Sequence, residues 1–375
     1  MDTEISRNGR FYHPEIDVLR FFAFFAVFVH HALPEGAKEY SGRIAPELGS
    51  WIATTVYGLG FGVDLFFALS AYLITELLLR EYHRAQQIDV RAFYIRRTLR
   101  IWPLYFLFLT FTLLVVPLLI PWEHMTNGYR MAFTFFGANW AVALHGFPES
   151  VASPLWSVSI EEQFYILWPL VLWLVGVRNI PRVAAVMLIT ALVTRVLAVL
   201  GGVTHPGIYT NTFARLDPMA AGALLAFALR GNSPRLRRSW RVLMGVGAVV
   251  LVVVLTRYGG LDGPGSLVTY PLVAVASILI ICAFLHSEKA VPSLLRNRVL
   301  VHLGRISYGL YVFHVFAITY VKASLGHVDS FGKLAIVFGS SLLLTMAIAA
   351  LSYRWIERPF LSLKERFTII QSRPV

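Results

Sequence analysis

DVLRFFAFFAVFVHHAL, residues 17–33, opens an apolar block with an acid and an arginine and closes it on two adjacent histidines. Only 13 residues lie between Arg20 and Pro34, fewer than the roughly 20 that a bilayer needs. A helix that crosses here must begin near Pro14 and carry Asp17 and Arg20 inside the membrane. A charged arginine within a span costs about 2.5–3.5 kcal/mol on insertion scales, so it ordinarily faces a bundle interior or a wet cavity and has a partner there. Arg20 and His31 are eleven positions apart. That is about 1100° of helical turn, which returns them to within roughly 20° of one face and about 16 Å apart along the axis. The alternative is an arginine that snorkels and a histidine solvated at the interface.

The rest of the chain fits a membrane setting. Of its 375 residues 57% are hydrophobic and 14% charged, with a mean hydropathy of +0.64, outside the balance of soluble globular proteins. Apolar runs recur from residue 15 to residue 353 with no polar stretch long enough for a soluble domain. The expectation is therefore an all-α integral membrane protein, one polytopic domain over 1–375. The first run is not a cleaved signal peptide, because it holds Asp17 and Arg20, lacks a small-residue cleavage site and leads directly into another span. Cys282 is the single cysteine, which excludes an intrachain disulfide and any cysteine-rich metal site; no metal is expected. The formal net charge is +12 and 28 of the 33 basic residues are arginine. They cluster beside apolar runs without aromatic interleaving, which reads as topology rather than nucleic-acid binding. The excess of arginine over lysine hints at a GC-rich bacterium, so the expected location is a bacterial cytoplasmic membrane.

Short loops rich in basic residues stay in the cytoplasm. The clusters are Arg7 and Arg10; Arg80 to Arg100; Arg178 and Arg182; Arg230 to Arg241; Arg296 to Arg305; and Arg354 to Arg366. Keeping all six inside requires about ten transmembrane helices, near 15–33, 55–79, 101–120, 156–177, 182–200, 213–230, 241–257, 267–286, 306–325 and 332–353, with both termini cytoplasmic. MAFTFFGANWAVALH, residues 131–145, is too short to cross, and counting it would put the next basic cluster outside. It is read as a re-entrant or interfacial segment on the outer side.

Six blocks in order carry a resemblance. IDVLRFFAFFAVFVHH (16–31) is followed by GFGVDLFFALSAYLIT (60–75), FYIRRTLRIWPLY (93–105), LWSVSIEEQFYILWP (155–169), LGRISYGLYVFH (303–314) and YRWIERPF (353–360). Together they resemble the acyltransferase-3 family of membrane O-acyltransferases, although Ala71 stands where that family usually has glycine. The resemblance implies transfer of an acyl group, usually acetyl, from cytoplasmic acyl-coenzyme A to a hydroxyl on a glycan, cell-envelope carbohydrate or secondary metabolite. Several members carry an added extracytoplasmic hydrolase-like domain. None follows residue 375 here, so the expectation is the membrane domain alone.

Transferring an acyl group from a thioester to an alcohol needs a base for the hydroxyl proton and dipoles for the developing oxyanion. His31 is the candidate base, since neutral imidazole accepts a proton near pH 7. Glu161 and Glu162 are expected near the depth of His31, where a carboxylate could hold its other ring nitrogen; the alternative is a solvated helix start. Ser157 lies one turn before Glu161, and Gln163 and Tyr165 prolong this polar face. Arg96, Arg97 and Arg100, with Arg20, are candidates for the phosphates of acyl-coenzyme A, which guanidinium groups bind bidentately, against simple positive-inside anchoring. Asp64, and Arg215 with Asp217, read as structural pairing before catalysis. His314 reads as a hydrogen-bonded packing residue or a functional one. Ser70 is expected to bond back to its own helix, and Glu357 to serve as counter-ion to the cytoplasmic arginines. A transporter or flippase with a buried ionisable pathway, and a catalytically silent scaffold, are the competing classes.

Overall fold

The computed structural model describes residues 12–36, 44–286, 291–326, 328 and 330–368, so Arg7 and Arg10 lie outside the described residues. Among the described residues all regular structure is helical. Lipid imposes this: an unpaired backbone group in a bilayer costs several kcal/mol, and a helix satisfies its N–H and C=O groups within one segment. In order, the helices are α1 Pro14–Ala32, α2 Pro46–Gly58, α3 Gly62–Ala85, α4 Val90–Leu114, α5 Val116–Leu119, α6 Asn127–Thr134, α7 Ala138–His145 and α8 Trp156–Val175. The second half comprises α9 Ile180–Leu200, α10 Asp217–Leu229, α11 Arg238–Val254, α12 Ser266–Phe284, α13 Arg298–Arg305, α14 Ser307–Leu325, α15 Phe331–Ser352 and α16 Arg358–Lys364.

α1 starts at Pro14, where the missing N–H is one the helix would leave unpaired anyway. The start forced by the position of Arg20 is the one observed. Length and apolar composition qualify six helical stretches to cross a membrane, or seven if α13 and α14, bent by 74°, form one span. Ten were expected. The difference lies in α1 and α4, which hold Glu15, Asp17 and Arg20, and Arg91, Arg96, Arg97 and Arg100, within their length, and in α10, which has only 13 residues. Residues 131–145 do not form a span. They fall in α6 and α7, eight residues each and so about 12 Å long, broken where Phe136 takes a left-handed φ of 54°.

α1 packs against α3, α12, α13 and α14 and thus lies inside the bundle. In lipid, apolar side chains gain little by leaving one apolar phase for another, so close helix approach depends on small residues and interhelical polar contacts. Gly304 in α13 lies so near the carbonyl of Asp17 that a Cβ would overlap it, and Gly222 in α10 meets the backbone of Ala68 in α3 in the same way. α9 and α11 instead turn Val186, Ile189, Leu197, Val242 and Val246 outward. The buried charges point inward, Arg195 of α9 among them, while the apolar faces of α9 and α11 form the periphery.

Candidate active site

Each end of α1 borders a cavity. At the Arg20 end the cavity is lined by Arg20, Arg97, Arg100, Ser70, Glu161 and Tyr165, with Asp17 and Tyr12 at its edge. Arg97 and Arg100 are one turn apart on α4, and Glu161 and Tyr165 one turn apart on α8, so each helix turns one stripe toward the same space. The Arg97 guanidinium lies 5.5 Å from the ring centre of Phe93 and 5.4 Å from that of Tyr165, within cation–π range. Arg20 donates from Nε to Ser307 Oγ at 3.3 Å. Asp17 is buried and accepts from the Tyr12 hydroxyl at 2.9 Å.

The cavity at the His31 end measures about 360 Å³ and is lined by His31, Tyr57, Trp156, His205, Tyr209 and Tyr311. That volume falls within the range of small-molecule sites, as does its mix of aromatic walls and a few polar groups. Trp156 and Tyr209 meet with ring centres 4.9 Å apart. Burial lowers the pKa of His205, in the loop before α10, below its ordinary value; Arg215 acts in the same direction and Asp262 opposes it. Ser157 Oγ lies 2.7 Å from the Tyr311 hydroxyl, and both reach the carbonyl of Pro154, at 3.0 and 3.1 Å. His31 Nδ1 faces the Val27 carbonyl at 2.9 Å and lies 3.3 Å from His314 Nε2.

Several expected placements need correction. Glu161 does not approach His31: it accepts from Ser70 Oγ at 2.8 Å, in the Arg20 cavity. Ser70 accordingly does not bond back to its own helix, because a carboxylate is a stronger acceptor than a helix carbonyl already engaged by an N–H. Glu162 accepts from the Trp102 indole at 2.9 Å. Arg96 does not join Arg97 and Arg100. It turns to Glu81, 2.6 Å away, and donates to the carbonyl of Phe367. Arg215 pairs with Asp64 at 2.6 Å, and Asp217 is held by both terminal nitrogens of Arg195, Nη2 at 3.0 Å. Glu357 is buried beside Gly309.

One buried charge escaped the sequence reading, and one residue it named proves to be engaged elsewhere. Arg195 is fully buried; an arginine inside the apolar run of residues 183–200 carries the same signal as Arg20 and could have been found by it. Gln163, read with Tyr165 as prolonging the polar face of α8, is fully engaged. It donates to the Phe136 carbonyl and to Asn139 and accepts from Thr212, tying α8 to the broken segment between α6 and α7. No metal-binding group of three or more His, Cys, Asp or Glu exists among the described residues.

Comparison with known proteins bears on what these two cavities serve. The family model described as an acyltransferase domain matches residues 13–354. O-acetyltransferase OatA of Staphylococcus aureus strain NCTC 8325 / PS 47 is 31% identical over 356 residues, covering 86% of this chain and 58% of the relative. The putative O-acetyltransferase SAS0844 of strain MSSA476 is 28% identical over 387 residues, covering 97% of this chain and 59% of the relative. The chain thus spans somewhat under three fifths of the length of these relatives. No solved structure matches. With a match running from the first residues of α1 to the end of the last long helix, the chain belongs to the acyltransferase-3 family of multi-pass membrane proteins.

Proposed function

We propose that this chain is a membrane O-acetyltransferase that takes the acetyl group from acetyl-coenzyme A on the cytoplasmic side and delivers it to a hydroxyl of a cell-envelope glycan or related carbohydrate on the other. The observation that carries the proposal is the pair of cavities at opposite ends of one helix, arginine-lined at Arg20 and histidine-lined at His31. Planar, permanently charged guanidinium groups suit the phosphates of a coenzyme A, while aromatic walls with a few polar groups suit an organic acceptor. The names of the staphylococcal relatives support acetyl as the acyl group.

In this reading His31 Nε2 takes the proton of the acceptor hydroxyl as its oxygen attacks the thioester carbon. The C–S bond breaks, and the coenzyme leaves as a thiol after gaining a proton. Arg20, Arg97 and Arg100 hold the phosphates, so the acyl group crosses the membrane interior and the coenzyme does not. The purified protein given acetyl-coenzyme A and a glycan acceptor should release free thiol in step with acetylated product. Flux of a solute without thiol release would instead identify a transporter.

Two predictions belong to this assignment. In a Cys282→Ser background, His124→Cys should react with an impermeant thiol reagent from outside and Arg235→Cys should not; labelling from the opposite sides would invert the topology. Arg97→Ala and Arg100→Ala should each weaken acetyl-coenzyme A binding by about 1–3 kcal/mol, with lysine restoring only part because a point charge lacks the guanidinium fork. Arg96→Ala should leave donor affinity unchanged, since its guanidinium is engaged with Glu81 and the Phe367 carbonyl. Unchanged affinity in the Arg97→Ala, Arg100→Ala double variant would return both residues to membrane anchoring.

A further inference from the structure

We propose that His314 is a positioning residue for His31: it holds the His31 ring in the tautomer whose Nε2 is free to accept a proton. The inference rests on the reading of His31 as the base. His314 is fully buried on α14, and its Nδ1 faces the carbonyl of Tyr311 at 2.5 Å. A carbonyl oxygen can only accept, so this nitrogen carries the hydrogen and, in the neutral ring, Nε2 carries the lone pair. That lone pair lies 3.3 Å from His31 Nδ1. His31 Nδ1 also faces a carbonyl, that of Val27 at 2.9 Å, and must donate in its turn. One hydrogen on His31 Nδ1 is therefore shared between the Val27 oxygen and His314 Nε2, and a neutral His31 then has no hydrogen on Nε2. No described residue forms a hydrogen bond to His31 Nε2, and the ring lines the larger cavity.

The Val27 carbonyl is not sufficient alone. It is four residues before His31 in a continuous helix and already accepts the His31 backbone N–H, which makes it a shared acceptor. His314 adds an acceptor with no other donor on it among the described residues, on a ring fixed by the Tyr311 carbonyl and by edge contacts to Phe24 and His31, with ring centres 6.1 and 4.9 Å away. When His31 gains a proton on Nε2, the charge strengthens its Nδ1 bond to His314. This is the service a carboxylate gives in the familiar triads, performed here by a second imidazole. Glu161, the carboxylate that sequence would assign to it, is bonded to Ser70 in the other cavity.

The test compares His314→Phe, which keeps a planar ring but removes the acceptor, with His314→Gln, whose side-chain oxygen reaches the place of Nε2. Both are made in the full chain, reconstituted with acetyl-coenzyme A and a glycan acceptor. Outer partners of functional histidines in metal sites are worth roughly 10- to 100-fold in activity, so His314→Phe should lower kcat by about that factor, leave the KM for acetyl-coenzyme A unchanged, and be partly rescued by His314→Gln. Nitrogen-15 histidine spectra, with His31 assigned by loss of its signal in His31→Gln, should show the Nδ1–H tautomer in the parent and an added Nε2–H population in His314→Phe. The inference is overturned if His314→Phe turns over at the parent rate, or if both variants fall equally while the His31 signal is unchanged, which is the result of a packing role. Normal transfer by His31→Ala would instead refute the assignment of His31 itself.

Discussion

His31→Ala is expected to retain acetyl-coenzyme A binding and to lose transfer by about 10²–10⁴-fold, the usual scale for removing a general base. The two effects should separate because the arginines proposed to hold the donor, Arg20 on α1 and Arg97 and Arg100 on α4, line the other cavity, with Arg20 about 16 Å along the helix axis from the histidine. His30→Ala should lose far less. His30 borders the same cavity, but its Nδ1 is turned to the Val56 carbonyl at 3.3 Å, with Glu35 3.6 Å away, and among the described residues no imidazole nitrogen lies within hydrogen-bond distance of its ring as His314 Nε2 does of His31. Thiol release and donor binding, measured side by side at equal abundance, decide the matter. An inactive His30→Ala beside a normal His31→Ala would exchange the roles of the two.

The second large effect concerns stability. Arg215 and Asp64 form a buried pair at 2.6 Å, with the rings of Tyr209 and Tyr270 centred 4.8 and 4.6 Å from the guanidinium. Removing one partner of such a pair leaves an uncompensated buried charge, which costs about 3–5 kcal/mol. Asp64→Leu should therefore sharply lower the unfolding temperature in detergent and the yield of folded protein. Adding Arg215→Met to Asp64→Leu should recover part of the loss, because with both ions gone no charge is left unpaired. A single variant that melts with the parent would show that water reaches the pair and that it contributes little to stability. The result bears on function as well, because Tyr209 lines the His31 cavity and Arg215 packs on its ring.

The helical class, the start of α1 and the placing of Arg20 and His31 at two ends of one face could be worked out from the sequence alone. All three are local: they follow from the length of an apolar run, the cost of a charge in lipid and the rise and twist of a single helix. The count of crossings was less accessible. α1 and α4 carry charges within their length because they lie where the bundle is polar inside, and a composition rule reads such helices poorly.

Which charged group meets which was decided by tertiary structure alone. Sequence placed Glu161 near His31 and left Asp64, Arg215 and Asp217 as a group that could pair, whereas the fold sets Glu161 on Ser70, Arg215 on Asp64 and Asp217 on Arg195. It also brings His314 to His31 across 283 positions. These pairings depend on the rotation and depth of the helices, and on the turn before α10 that carries Arg215; helices as apolar as α9 and α10 have no amphipathic stripe to set their rotation. Rotation and depth come instead from close approaches such as Gly304 on Asp17 and Gly222 on Ala68, contacts between segments far apart in the chain that no local pattern of residues encodes.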